Sequence, residues 1–327
     1  MALSRHTLCI HKQFLILPTT LPFLQRKSIL LLNVSSALDI NEGYSLRKRQ
    51  RKTLSNALSP ESTSEVYNSF DVVGDIAIIK MPSPSQETAE VVAKAILNRH
   101  RNINTVLLQA SPVSGDLRLR RLNYVAGENK TRTVHKEFGC SFSVDVAECY
   151  FSPRLSHERM RIAKLVAPDE TVVNMFAGVG CFSIIIAKHA NPKKVFSIDV
   201  NPEAVQFMQE NIRLNRAYDK ITPLLGDSKE IVNNRLQGVA DRVLMPLPEK
   251  ALEYLPYALA ALKAPGGWIH YYSLEHATKT ESPTEKAKLK VASALDALRV
   301  AFDAPFVRVV RSTGPNWFQL AADVRVM

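Results

Sequence analysis

The sequence predicts an α/β protein: a mostly parallel, doubly wound sheet preceded by a small α+β module. Three observations predict it. Val172 to Phe176 is the short apolar run of a buried strand, and it passes through Ala177-Gly178-Val179-Gly180 into the apolar helix Cys181 to Lys188. Lys194 to Asp199 repeats the strand pattern and closes on a carboxylate, as Ile221 to Leu225 does before Gly226-Asp227. The length of 327 residues gives room for one large core and a smaller one.

Taken in order, residues 1–66 form an extension or linker without a clear periodic pattern, basic at Arg47-Lys-Arg-Gln-Arg-Lys52. Residues 67–148 read as the small module. Asp71 to Ile79 is a strand-pair region, Gln86 to Arg99 an amphipathic helix, and Asn104 to Leu108 a strand. Leu117 to Leu122 alternates with period two, which predicts a strand with Arg118 and Arg120 on one face. Val134 to Val146 is strand-rich and carries Lys136 beside Arg132 and His135. Residues 149–327 form the larger domain. Tyr150 to Arg159 leads into a helix, and Asn201-Pro202 is a cap and first position for the helix after Asp199. Ala240 to Pro248, Gly266 to Tyr272 and runs near Val307 and Val324 bring the strand count to seven, with helices over Glu249 to Lys263 and Thr284 to Ala301.

Composition excludes some classes. With 46% hydrophobic and 22% charged residues the chain is an ordinary globular one, and no apolar run reaches the ~18 residues of a spanning helix. The net charge of +11 favours a polyanionic partner. Cys9, Cys140, Cys149 and Cys181 show neither Cys-x-x-Cys pairing nor a nearby His spacing of the metal-ligand kind, so no metal site or redox pair is indicated and a reduced, cytoplasmic location is expected. Nothing in the pattern marks an obligate protein partner.

In open α/β sheets ligands sit at the strand carboxyl ends, and an acid at the second strand tip can hold a ribose diol. Gly178 and Gly180 allow close approach of backbone and ligand. Asp199 for ribose hydroxyls and Asp227 for an adenine amino edge suit an adenosine, an arrangement similar to class I S-adenosylmethionine methyltransferases, with their Rossmann-like seven-stranded sheet. Gly178-Val-Gly180 is one glycine short of a dinucleotide fingerprint, and a nicotinamide dehydrogenase would leave the arginine-rich module unexplained.

Several stretches carry a closer resemblance: Ser69 to Ile78, Val134-His-Lys-Glu-Phe-Gly-Cys140, Tyr150-Phe-Ser-Pro-Arg-Leu155, Asn174 to Gly180, Ile198-Asp-Val-Asn-Pro202 and Gly267 to Tyr272. With these the chain resembles the archaeal and eukaryotic tRNA (guanine-37-N1)-methyltransferases and their wybutosine-pathway relatives. The resemblance implies methyl transfer from S-adenosylmethionine to N1 of guanosine 37 in a tRNA anticodon stem-loop. It places the base for the N1 proton on Glu158 and the arginine facing O6 on Arg118. It places cofactor contacts on Arg159, Asp199, Asp227 and Ser228, with Phe176, Gly178, Gly180, Val200 and Pro246 around them. Arg118, Arg120, Arg132 and Lys136 are the expected RNA contacts.

One departure stands out: Pro246-Leu-Pro248 replaces the Asn-Leu-Pro usual in N1-methylating members, and proline offers no donor. The wybutosine-pathway relatives differ at this loop too. Aminocarboxypropyl transfer, or methylation of a modified guanosine 37, is therefore the alternative, and a non-catalytic RNA-binding protein is disfavoured by intact Glu158, Asp199 and Asp227.

Overall fold

The computed structural model describes residues 70–81 and 85–327, so the expectations for residues 1–66 lie outside the described residues. Two sheets and a hairpin are built in sequence order. β1 (Asp71–Val73) and β2 (Ile76–Ile79) form an antiparallel pair. α1 (Gln86–Arg99) then crosses to β3 (Thr105–Gln109), parallel to β2, and β4 (Leu122–Gly127) returns antiparallel beside it. α1 starts at the Ser85 cap and buries Ala89, Val92, Ala93 and Ile96, spaced three and four apart, on Ala77, Ile79, Val106 and Leu108 of the sheet.

The opposite face of this sheet, with Ile76, Ile78 and Leu107, packs into the same core as Phe142 and Val144 of the following hairpin and the helices beyond it. β5 (Arg132–Glu137) and β6 (Cys140–Asp145) turn at Phe138-Gly139, both at positive φ (47° and 71°), the two-residue turn whose twist suits antiparallel strands. The free edge of β6 is satisfied by side chains. Asn211 accepts from the Ser143 N–H at 2.6 Å and donates to its carbonyl at 2.9 Å, while Asn215, one turn on, does the same for Ser141. Two asparagines at helical spacing thus replace a strand partner, which seats the hairpin on the large domain.

The large sheet has the order β12-β13-β11-β10-β7-β8-β9. β7 (Thr171–Asn174), β8 (Lys194–Asp199), β9 (Ile221–Leu225), β10 (Arg242–Met245) and β11 (Gly267–His276) are parallel. The last strand, β13 (Trp317–Val326), runs antiparallel between β11 and β12 (Phe306–Gly314), because its hairpin turn leaves no room for a crossover. Period-two alternation sends Val172, Leu244, Tyr272 and Ala321 to one face, with α2 (Ser156–Leu165), α3 (Cys181–His189) and α4 (Pro202–Leu214). Val173, Val243, Tyr271 and Ala322 go to the other, with α6 (Ala251–Ala261) and α7 (Pro283–Ala297). Between β8 and β10 the short α5 (Ser228–Ile231) runs into a wide helical segment, Val232–Leu236. The described residues form one compact unit.

The alternation at Leu117 to Leu122 does not make a strand, which corrects the expectation of a shared arginine face. Gly115 to Arg118 is a tight turn closed by the Ser114–Leu119 bridge, with Gly115 and Arg118 at φ 73° and 54°, and β4 begins only at Leu122. Local turn chemistry overrides the two-residue pattern here.

Candidate functional site

Strand order reverses on either side of β7, so the connections leaving β7 and β10 part and open a crevice at their carboxyl ends. The cleft there spans about 880 Å³ including its open mouth. Of the expected cofactor residues it is lined by Phe176, Gly178, Asp199, Val200, Asp227, Ser228 and Pro246. Among the expected RNA and catalytic residues it is lined by Arg118.

Asp199, at the tip of β8, accepts from the Gly178 N–H at 2.6 Å and the Asn201 N–H at 3.0 Å. One carboxylate therefore braces the glycine turn and the start of α4 while facing the cleft. Burial pushes its pKa up, against the backbone N–H groups that pull it down. Gly178 takes φ 55° at the cleft wall. Gly180 does not line the cleft: at φ 90° it lets α3 meet α4, where a Cβ would stand 2.9 Å from Met208. Asp227 caps α5 through the Lys229 N–H at 2.8 Å and accepts from the Tyr254 hydroxyl at 2.9 Å. Ser228 donates to the Met175 carbonyl, tying α5 to the end of β7.

The outer wall comes from the small module. Arg118 lies 4.4 Å over the Tyr150 ring and donates to Glu249 at 2.8 Å. Tyr150 is held in turn by Arg311 of β12, which donates to its hydroxyl at 3.3 Å and to Ser152 at 2.9 Å. Asp116, Leu117, Tyr150, Leu247, Lys250 and Tyr254 line the cleft and were missed in the sequence. A turn residue and a residue of α6 reach the site only through the fold; Tyr150 and Leu247 each sit inside a stretch already singled out.

Other expected residues lie elsewhere. Glu158 is 3% exposed and outside the cleft lining. It accepts from Arg161 at 2.9 and 2.8 Å, from the Tyr272 hydroxyl at 2.8 Å, and from Arg308 at 3.4 Å. Arg161 also donates to Asp323 at 2.6 and 3.1 Å, and Asp323 meets His270 Nδ1 at 2.6 Å. Since Arg242 can only donate, the 2.6 Å contact makes His270 Nε2 the acceptor and leaves the proton on Nδ1, toward Asp323. Burial lowers the His270 pKa despite Asp323; Asp323, although burial raises it, is held low by His270 and Arg161.

Arg159 is also buried, paired with Glu137 at 2.6 and 2.8 Å, and lies outside the cleft lining. Arg120 lies outside the cleft lining and donates to Gln109 at 3.2 Å. Arg132 pairs with Glu210 at 2.6 Å, and Lys136 is exposed on the same hairpin strand. Cys181 is buried at the start of α3, and burial pushes its thiol up to about 12, which suits packing rather than nucleophilic chemistry. Among the described residues no helix is long and apolar enough to cross a membrane.

Known proteins share this architecture. The TRM5/TYW2 methyltransferase domain matches residues 133–299, and the TYW2 N-terminal domain matches residues 50–131. Trm5b of Pyrococcus abyssi, a tRNA (guanine(37)-N(1))-methyltransferase, is 39% identical over 79% of this chain and 74% of its own. Taw21 of Saccharolobus solfataricus, a tRNA 4-demethylwyosine(37)-methyltransferase, is 35% identical over 84% of this chain and 99% of its own. The aTrm5 chain solved in complex with tRNALeu superposes with a TM-score of 0.74 at 34% identity, covering 85% of this chain and 78% of that one. A crevice at the switch point of a seven-stranded sheet, with acids at two strand tips and a domain match over half its length, makes this chain a member of the TRM5/TYW2 methyltransferase family.

Proposed function

We propose that the chain is an S-adenosylmethionine-dependent tRNA methyltransferase that modifies N1 of guanosine 37. The observation that carries this reading is the cleft itself, which Asp199, Asp227 and Gly178 line together with Arg118 and Tyr150. In this reading the adenosyl group lies between the β8 and β9 tips, with Asp199 accepting from ribose hydroxyls, and the bound cofactor supplies the sulfonium methyl group. The guanine enters past Arg118, whose guanidinium stabilises negative charge developing on O6 as N1 loses its proton. Arg132 and Lys136 contact tRNA phosphates, in a cytoplasmic setting.

Glu158 takes the N1 proton only if it leaves Arg161. Asp323 holds that guanidinium through two contacts of its own, so the exchange strands no buried charge. The reading is tested by incubating the full chain with S-adenosylmethionine and unmodified tRNA carrying guanosine 37, then identifying the modified nucleoside by mass analysis. N1-methylguanosine is the expected product.

A second reading, methylation or aminocarboxypropyl transfer on a wyosine-type guanosine 37, is favoured by Pro246. It lines the cleft where asparagine is usual, so the loop after β10 offers the base no side-chain amide. The same mass analysis with 4-demethylwyosine tRNA separates the two.

A further inference from the structure

Two ion pairs cross the mouth of the cleft between the same two segments. The turn Ser114–Leu119 carries Asp116 and Arg118, and the segment after Pro246 carries Glu249 and Lys250. Arg118 pairs with Glu249 at 2.8 Å, and Lys250 with Asp116 at 2.7 Å. Each segment thus presents one acid and one base, matched crosswise, and Asp116, Arg118 and Lys250 all line the cleft. We propose that Glu249 is a positioning residue for Arg118 and, with the Lys250–Asp116 pair, clasps this turn over the cofactor cleft.

The clasp rests on the reading of the cleft as a cofactor site, and the chemistry explains why it opens for a base. Glu249 takes only Nη1 of Arg118, and the buried Nε of that guanidinium has no acceptor. A guanidinium fork binds most strongly to a partner with two adjacent acceptors, and the O6 and N7 of guanine are such a pair. A purine edge offering both atoms therefore competes with the single, solvent-weakened Glu249 contact. Glu249 and Asp116 are well exposed, with 48% and 76% of their side chains accessible, so each pair is a weak, salt-sensitive contact. That is the strength a reversible closure needs: each pair shifts the closed fraction by roughly 1.5- to 5-fold.

The test uses the full chain and two measurements. One is hydrogen exchange of the Ser114–Leu119 amides in the cofactor-free protein; the other is stopped-flow release of S-adenosylhomocysteine. Glu249→Gln, Asp116→Lys and Lys250→Glu should each raise amide exchange and release at least about 1.5- to 5-fold. The double variant Asp116→Lys/Lys250→Glu should return both to within about twofold of the parent, while Glu281→Gln, in a remote surface pair, should change neither. Additive acceleration in the double variant would mean that the side chains contact the ligand independently, and would overturn the clasp. Unchanged amide exchange in all three single variants would overturn it as well. Altered exchange with rescue, but no binding of S-adenosylhomocysteine, would uphold the clasp and sink the cofactor reading instead.

Discussion

Replacing Glu158 separates two roles for one carboxylate, because its surroundings set a stability cost that any rate effect must be measured against. The side chain accepts from Arg161 twice, from Tyr272 and from Arg308. Removing one partner of a buried ion pair costs about 3–5 kcal/mol when the other charge is left alone. Here Arg161 keeps Asp323, which puts Glu158→Ala near the lower limit, while the Tyr272 hydroxyl loses its acceptor at about 1–3 kcal/mol. The two terms sum to about 4–6 kcal/mol; because they are not additive, a net cost of at least about 3 kcal/mol is expected, which lowers Tm by at least about 6 °C for a unit of this size. Glu158→Gln retains one acceptor oxygen and should lose about half as much. The assay pairs thermal unfolding with single-turnover methyl transfer, well below either variant's Tm. A Tm within about 1 °C of the parent for Glu158→Ala would refute the network argument. For the base, transfer by folded Glu158→Gln should fall roughly 10²- to 10⁴-fold with cofactor and tRNA affinity nearly unchanged, and full activity would remove Glu158 from the chemistry.

Asp199→Asn should weaken S-adenosylhomocysteine binding by calorimetry roughly 10- to 150-fold, the worth of charge-assisted hydrogen bonds; equal affinity would take Asp199 out of the site. Because burial raises the Asp199 pKa, affinity is full above that raised value and falls as pH drops through it, at a higher pH than for an exposed aspartate. The His270–Asp323 pair should make the fold acid-sensitive. His270 titrates lower in the fold than unfolded, so its contribution is full above pH ~6.5 and is lost as pH falls toward the folded value; that of Asp323 is lost at still lower pH. His270→Gln, which can still donate to Asp323 and accept from Arg242, should flatten the urea-midpoint profile between about pH 6.5 and 5, by up to about 1.4 kcal/mol per pH unit. An unchanged slope would assign the acid sensitivity to other groups. Charge reversal at Arg132 and Lys136 should weaken tRNA binding and reduce its salt slope by about one per lost phosphate, leaving cofactor affinity intact. Loss of both affinities together would point to damage of the hairpin seat at Asn211 instead.

Most of the sheet was legible in the sequence, because each strand carries its own signal. Val172 to Phe176, Lys194 to Asp199 and Ile221 to Leu225 announce buried strands by short apolar runs, and two of them place an acid at the tip. Asn201-Pro202 marks a helix start by local capping chemistry that needs no partner: Asn201 accepts from the Glu203 N–H at 3.1 Å. The cofactor half of the cleft follows from those signals, since strand tips at a switch point converge whatever the loops do. Charge partnership is different, because it joins residues far apart in the chain. Nothing local tells Arg118 that Glu249 and Tyr150 will flank it, or Arg161 that it will bridge Glu158 and Asp323. Periodicity even misled at Leu117 to Leu122, where a glycine turn breaks the strand geometry the alternation implies. The sequence by itself determined the sheet, its caps and the acids at its edge, all set by interactions within a few residues. Only the tertiary structure decided which groups hold Arg118 at the cleft, and that Glu158 and Arg159 lie buried outside it, because long charged side chains go wherever the packed fold offers them a counter-charge.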